Sequence, residues 1–275
     1  MFDYFREAKA SEIKALQRLA AGPGLGPVYA APRLDFTKAL RNKAAKKGLA
    51  VIAEYKRASP SQGDIALTVT PGGAALDYVR AGAGAMSILT EKSKFKGRLS
   101  FIEKAWNGGA ELFDLPILRK DFIFDPLQIE ATARTPAAAL LLIVRLTPKA
   151  AELRALREKA ESFGLQCVVE VLDEADLALA RDSGARIIQV NARDFSDLSV
   201  DLSRSLNLAA REAGRGPGEL WIAASGFSRP EELPLAREAG FSAILAGTAL
   251  MRGGNLAESL TRLTSGLAAP GGRPQ

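Results

Sequence analysis

Histidine is absent from the 275-residue chain and cysteine occurs once, at Cys167. The first absence excludes a Ser-His-Asp triad, a Cys-His pair, an HExxH zinc site and any imidazole base, because each needs the ring nitrogens. The second excludes an internal disulfide framework and a cysteine-cluster metal site. Aromatic residues are also sparse at 7%, and no basic-aromatic repeat of a nucleic-acid surface accompanies the formal charge of +6. Apolar runs are short: the longest, Ala137 to Val144, falls well below the roughly 20 residues that cross a bilayer. Met1 is followed by the charged stretch Asp3 to Lys9, not by an apolar secretory segment. The expected protein is cytoplasmic, binds neither nucleic acid nor membrane, needs no metal or cofactor, and works as a monomer. Its proton chemistry falls to Lys, Glu, Asp or Tyr.

With 47% hydrophobic and 25% charged residues, the chain has the material for one large core. Eight short apolar runs recur along it: Leu49 to Ala53, Ala85 to Leu89, Pro116 to Leu118, Ala139 to Val144, Cys167 to Val171, Arg186 to Val190, Leu220 to Ala223 and Ala243 to Ala246. Each has the length of a buried strand, and amphipathic helix material fills most gaps. Pro148 opens a helical run from Lys149 to Phe163 that Gly164 stops; Asp173 heads Glu174 to Asp182, with Gly184 after it; Pro230 begins Glu231 to Glu238, followed by Gly240. Parallel strands require such crossovers. Eight βα units with no separate second domain predict an α/β fold, a single (β/α)8 TIM barrel over residues 49–267. An N-terminal helical extension covers residues 1–48, with helices from about Asp3 to Ala20 and from about Asp35 to Lys47. The cluster Arg41 to Lys47 reads as the solvated face of the second helix. The Pro/Gly-rich residues 268–275 are expected to form a flexible tail.

Active groups of such a barrel sit at the C-terminal ends of its strands. The first strand ends in Glu54-Tyr55-Lys56-Arg57, where Glu54 and Lys56, two apart, face the same side. The third gives Lys120, the fifth places Glu170 in an otherwise apolar run, and the sixth ends at Asn191. Any one of these fits a structural ion pair. Their recurrence at one end of a barrel points to a site. Ser225-Gly226 and Gly247-Thr248 follow the last two strands, the habitual phosphate cradle of this fold, and indicate a phosphorylated small-molecule substrate.

At these residues the chain resembles the indole-3-glycerol phosphate synthase family. The likeness rests on Ala53 to Ser61, on Ser87 to Glu91 with Phe95 and Gly97, on Leu118 to Ile123, Val169 to Val171, Asn191 to Asp194, Ser225-Gly226 and Gly247 to Met251. The resemblance implies a carboxy-lyase that closes the ring of 1-(2-carboxyphenylamino)-1-deoxyribulose 5-phosphate with loss of carbon dioxide and water, in tryptophan biosynthesis. It implies Lys120 as the acid that protonates the ketose carbonyl and Glu170 as the second acid/base. Lys56 would hold the substrate carboxylate and assist dehydration, with Glu54 and Asn191 orienting sugar hydroxyls and the lysines. Ser225, Gly226, Gly247 and Thr248 would cradle phosphate. Pro60, Phe95, Phe122 and Phe195 would line a pocket for the aromatic ring, and Ser59 and Arg193 would complete the substrate contacts. A lysine ammonium, with an ordinary pKa near ~10.4, is protonated at neutral pH and can donate.

The chain departs from the family pattern at Ala224, where a glutamate of the active site normally precedes Ser-Gly. Further departures are Arg98 for a serine, Thr135 to Ala138 for a Gly-Ala-Asp sequence, Leu172 for a histidine and Gln189 for a glycine. Two alternatives accompany the main reading: a diverged barrel enzyme acting on another phosphorylated anion, and a non-catalytic relative that binds a phosphorylated ligand.

Overall fold

The computed structural model describes residues 2–212, 215, 216 and 218–267. Residues 268–275, expected as a tail, lie outside them. The chain opens with α1 (Phe2–Ala21) and α2 (Phe36–Lys47), the latter capped by the Asp35 carboxylate accepting from the Lys38 amide at 2.9 Å. α2 buries Phe36 and Leu40 and turns Arg41, Lys46 and Lys47 to solvent, as its charge pattern predicts.

Eight parallel strands follow: β1 (Ala50–Tyr55), β2 (Ala85–Leu89), β3 (Ile117–Ile123), β4 (Ala139–Ile143), β5 (Gln166–Val171), β6 (Ile187–Asn191), β7 (Leu220–Ala224) and β8 (Ala243–Ala246). Each pairs with its neighbour in chain order, and β8 returns to β1 with Ala50 opposite Ala243, closing the barrel. Helices α3 (Pro71–Arg80), α4 (Phe101–Ala105), α5 (Pro126–Ala133), α6 (Ala150–Ser162), α7 (Glu174–Asp182), α8 (Leu202–Arg211) and α9 (Glu232–Glu238) connect them; α10 (Thr248–Met251) and α11 (Leu256–Thr264) follow β8. The expected (β/α)8 barrel is therefore observed.

The two-residue side-chain period divides the core into two apolar clusters. Val51, Ala53, Met86, Ile88, Val169 and Ile188 point outward against the helices. Ala50, Ile52, Leu118, Leu141, Val168, Ile222 and Leu245 fill the interior. The same inward phase, carried two residues on, places Glu54 after Ile52, Lys120 after Leu118, Glu170 after Val168 and Asn191 two beyond Gln189. The chemistry-bearing residues are the top layer of the interior, where packing gives way to an open mouth.

β3 extends to Ile123, beyond its apolar run. Its outward residues Arg119 and Asp121 are buried and charged, and α1 supplies their partners: Lys9 Nζ lies 2.7 Å from Asp121 Oδ1, which shares its carboxylate with Arg119 Nη2 at 2.9 Å and the Thr90 hydroxyl at 2.5 Å. Arg119 also donates to the Gln128 carbonyl and the Thr132 hydroxyl of α5. Phe5 and Lys9, one turn apart, form the buried face of α1. The N-terminal helix is thereby fastened across the mouth of the barrel by a fully paired buried network.

Candidate active site

A cavity of about 460 Å³ opens at the C-terminal ends of the strands. Glu54, Lys56, Ser59, Pro60, Phe95, Lys120, Asn191, Arg193, Phe195, Ser225, Gly226, Gly247 and Thr248 all line it. Two predicted residues do not. Glu170 faces a narrow adjoining cleft that it shares with Phe2, Arg145, Asn191, Arg193 and Phe195. Phe122 is covered by α1: the Phe5 ring lies on it with centroids 3.6 Å apart and planes at 10°, while Phe195 meets it edge-on at 6.0 Å. Phe2 packs on Phe195 at 5.5 Å. The aromatic side of the mouth is thus shared between barrel rings and rings from α1.

Glu54 and Lys56 form an ion pair, Oε1 to Nζ, at 2.9 Å. The Tyr78 hydroxyl of α3 donates to the Glu54 carbonyl at 2.9 Å and fixes the strand end. Gly247 completes this arrangement, because a Cβ there would overlap the Glu54 carboxylate. Burial pulls the Arg193 guanidinium below its ordinary pKa, an effect the Glu54 carboxylate opposes. Lys120 differs from Lys56: among the described residues no carboxylate lies within ion-pair distance of its ammonium. The cavity therefore contains one neutralised lysine and one whose charge is uncompensated.

Loops set the remaining groups. The buried Glu91 carboxylate accepts from the amides of Ser93, Lys94 and Phe95 at 2.6 to 3.1 Å, folding the β2 loop so that Phe95 reaches the cavity. Asn191 Oδ1 accepts from the Arg193 amide at 3.0 Å and shapes the β6 loop. Ser225 and Gly226 are consecutive residues in the left-handed region, φ 66° and 90°, a turn that brings backbone to the cavity wall. The first amides of α10, at Thr248 and Ala249, have no acceptor within the helix. The Ser59 hydroxyl is buried with no partner among the described residues.

Three features escaped the sequence reading. Arg252 lines the cavity and its guanidinium donates to Gln62 Oε1, linking the loops after β1 and β8. Phe2 and Phe5 of α1 meet the aromatic wall, which no local pattern announces. The link of Gln189 to Glu170 is the third: the sequence shows Gln189 only as a departure from the family glycine, yet it is fully buried and bonded to Glu170, and as a polar residue inside an apolar strand it carried the same signal that singled out Glu170.

A family model described as indole-3-glycerol phosphate synthase matches residues 7–263. The chain belongs to the indole-3-glycerol phosphate synthase family. It is 41% identical over 229 residues to the indole-3-glycerol phosphate synthase of Chloroherpeton thalassium, covering 82% of this chain and 84% of that one. It is 37% identical over 252 residues to indole-3-glycerol phosphate synthase 2 of Streptomyces coelicolor, covering 91% and 89%. A thiamine phosphate pyrophosphorylase from Pyrococcus furiosus superposes with a TM-score of 0.60 over 83% of this chain and 97% of its own, at 14% identity, a likeness of fold alone. As an indole-3-glycerol phosphate synthase, the chain is a carboxy-lyase of tryptophan biosynthesis that converts 1-(2-carboxyphenylamino)-1-deoxyribulose 5-phosphate by ring closure, decarboxylation and dehydration. No helix among the described residues is long and apolar enough to cross a membrane.

Proposed function

We propose that Lys120 is the general acid of this ring closure and that the other cavity residues hold the substrate around it. The single observation that carries the assignment is the contrast between the two lysines. Glu54 pairs with Lys56 and fixes its position, whereas the Lys120 ammonium enters the cavity with no counter-ion among the described residues. As the ring carbon that bears the carboxylate attacks the ketose carbonyl carbon, the carbonyl oxygen gathers negative charge, and Lys120 supplies a proton to it. Carbon dioxide then leaves, its bonding pair restoring the aromatic ring. The new hydroxyl departs as water, with Glu170 moving the proton that the elimination requires and Lys56 assisting.

Asn191 and Glu54 orient the sugar hydroxyls, and Ser59 and Arg193 add contacts from the β1 and β6 loops. Ser225, Gly226, Gly247 and Thr248 form the phosphate cradle, supported by the left-handed turn at 225–226 and the open amides of α10. Pro60, Phe95 and Phe195 receive the aromatic ring, which reaches the face of Phe122 once Phe5 moves off it. The protein acts in the cytoplasm, in keeping with a single, buried thiol at Cys167.

Substituting each lysine separately tests the division of labour. Indole fluorescence should report Lys120→Ala as a loss of kcat of about 100- to 10,000-fold, and Lys56→Ala chiefly as a raised KM. Equal kcat losses, or a Lys120→Ala enzyme at near-normal rate, would overturn it.

A further inference from the structure

Glu170 is buried on β5, and its one hydrogen-bond partner among the described residues is Gln189 of β6, the residue directly across the strand pair. Gln189 Nε2 donates to Glu170 Oε2 at 2.6 Å, a short charge-assisted bond. Gln189 lines neither the main cavity nor the adjoining cleft and is fully buried between Ile188 and Val190. Its own Oε1 is buried without a partner among the described residues. A buried amide oxygen left unpaired costs free energy, so a glutamine here is a poor choice for packing alone.

The unpaired oxygen makes sense beside a group that changes protonation state. While Glu170 is a carboxylate, the amide nitrogen faces it and donates. When Glu170 carries a proton, the amide turned over about its last torsion presents Oε1, which accepts the acid O–H. Either orientation makes one hydrogen bond to Glu170 and leaves one amide atom without a partner. The count of bonds is therefore the same in both states, and neither end of the amide is tied down elsewhere.

We propose that Gln189 is a positioning residue for Glu170, a reversible amide that holds its carboxyl in one place through both halves of its proton transfer. The proposal rests on the reading of Glu170 as the second acid/base. Gln189 does not touch the substrate; it fixes the orientation of the Glu170 carboxyl within the cleft that Glu170 shares with Phe2, Arg145 and Asn191.

Gln189→Met keeps the side chain's length and volume while removing both hydrogen-bonding groups. The variant should lower kcat by about 10- to 100-fold, the scale of one hydrogen bond to a charged group, and leave KM within about twofold. The same substitution made on Glu170→Gln should change the residual kcat by less than about twofold, because the carboxyl to be positioned is gone. A Gln189→Met enzyme with unchanged kcat, or one whose loss is equally large in the Glu170→Gln background, overturns the proposal, since a general packing defect would act in both. Wild-type kcat in Glu170→Gln alone would instead remove Glu170 from the mechanism, and the positioning role with it.

Discussion

Phe5 of the N-terminal helix lies face to face on Phe122 of the barrel, at 3.6 Å between ring centroids. The same face of Phe122 cannot hold both Phe5 and the aromatic ring of a substrate. Phe5→Ala should therefore cost stability, about 3–5 kcal/mol for deleting a buried phenylalanine, yet lower KM by several-fold at a temperature where the variant stays folded. Thermal melting and steady-state indole fluorescence check the two halves. A lower melting temperature with a higher KM would mean that Phe5 is part of the binding surface and does not compete for it.

The Gly247 backbone makes room for the carboxylate that pairs with Lys56. Gly247→Ala should push Glu54 off Lys56 and lower kcat/KM by about 100-fold, the order expected for a misplacement near 1 Å in an active site. Circular dichroism should remain that of the folded barrel. An alanine variant of normal activity would show that the Glu54–Lys56 geometry is dispensable.

Asp121 ties α1 to the barrel, and its charge carries a pH signature. Burial pushes the carboxyl up, but the Arg119 guanidinium and the Lys9 ammonium, with hydrogen bonds from Lys9 and Thr90, outweigh it and hold the pKa at about 2. In the unfolded chain the group titrates near ~3.9. Because the folded value is the lower one, its stabilisation is fully present above about pH 4 and is lost as the pH falls towards about 2, amounting to about 2–3 kcal/mol. Urea unfolding of wild type and Asp121→Asn should show a stability gap at pH 5 that narrows as the pH approaches 2. A gap of constant size across that window would contradict the ion-pair account.

Ala224, paired in register with Asn191, forms a small buried part of the cavity wall where the family pattern has a glutamate. Ala224→Glu restores at this position the carboxylate that the family pattern carries. The expected result is a rise in kcat of about tenfold, the scale of one charge-assisted hydrogen bond. An unchanged or lower kcat would mean that the site has re-adapted around the alanine.

The barrel was legible because parallel strands buried on both faces leave short apolar runs, and Ala85–Leu89 and Ala243–Ala246 coincide with theirs. The apolar run of β3 stops at Leu118, yet the strand continues through Arg119, Lys120 and Asp121 because Lys9, Glu12 and Thr90 pair the outward charges, and those partners are distant in the chain. Glu54 and Lys56 were legible through the period of two, and Lys120, Glu170 and Asn191 through polar side chains at the ends of apolar runs. The covering of Phe122 by Phe5, and the retreat of Glu170 behind the main cavity, were not, since both depend on how one helix docks across the mouth. Gln189 carried a readable signal, a polar side chain between β-branched neighbours, but only its contact with Glu170 gives it a meaning.

The most direct test of the account is a crystal structure with the substrate's ketose reduced to an alcohol, which fills the site and cannot cyclise. The proposed roles predict Lys120 Nζ within hydrogen-bond reach, roughly 2.6–3.2 Å, of the oxygen derived from the carbonyl, with phosphate against Ser225, Gly226, Gly247 and Thr248. An oxygen turned towards Lys56 with Lys120 out of reach, or a phosphate bound at another part of the rim, would contradict the account.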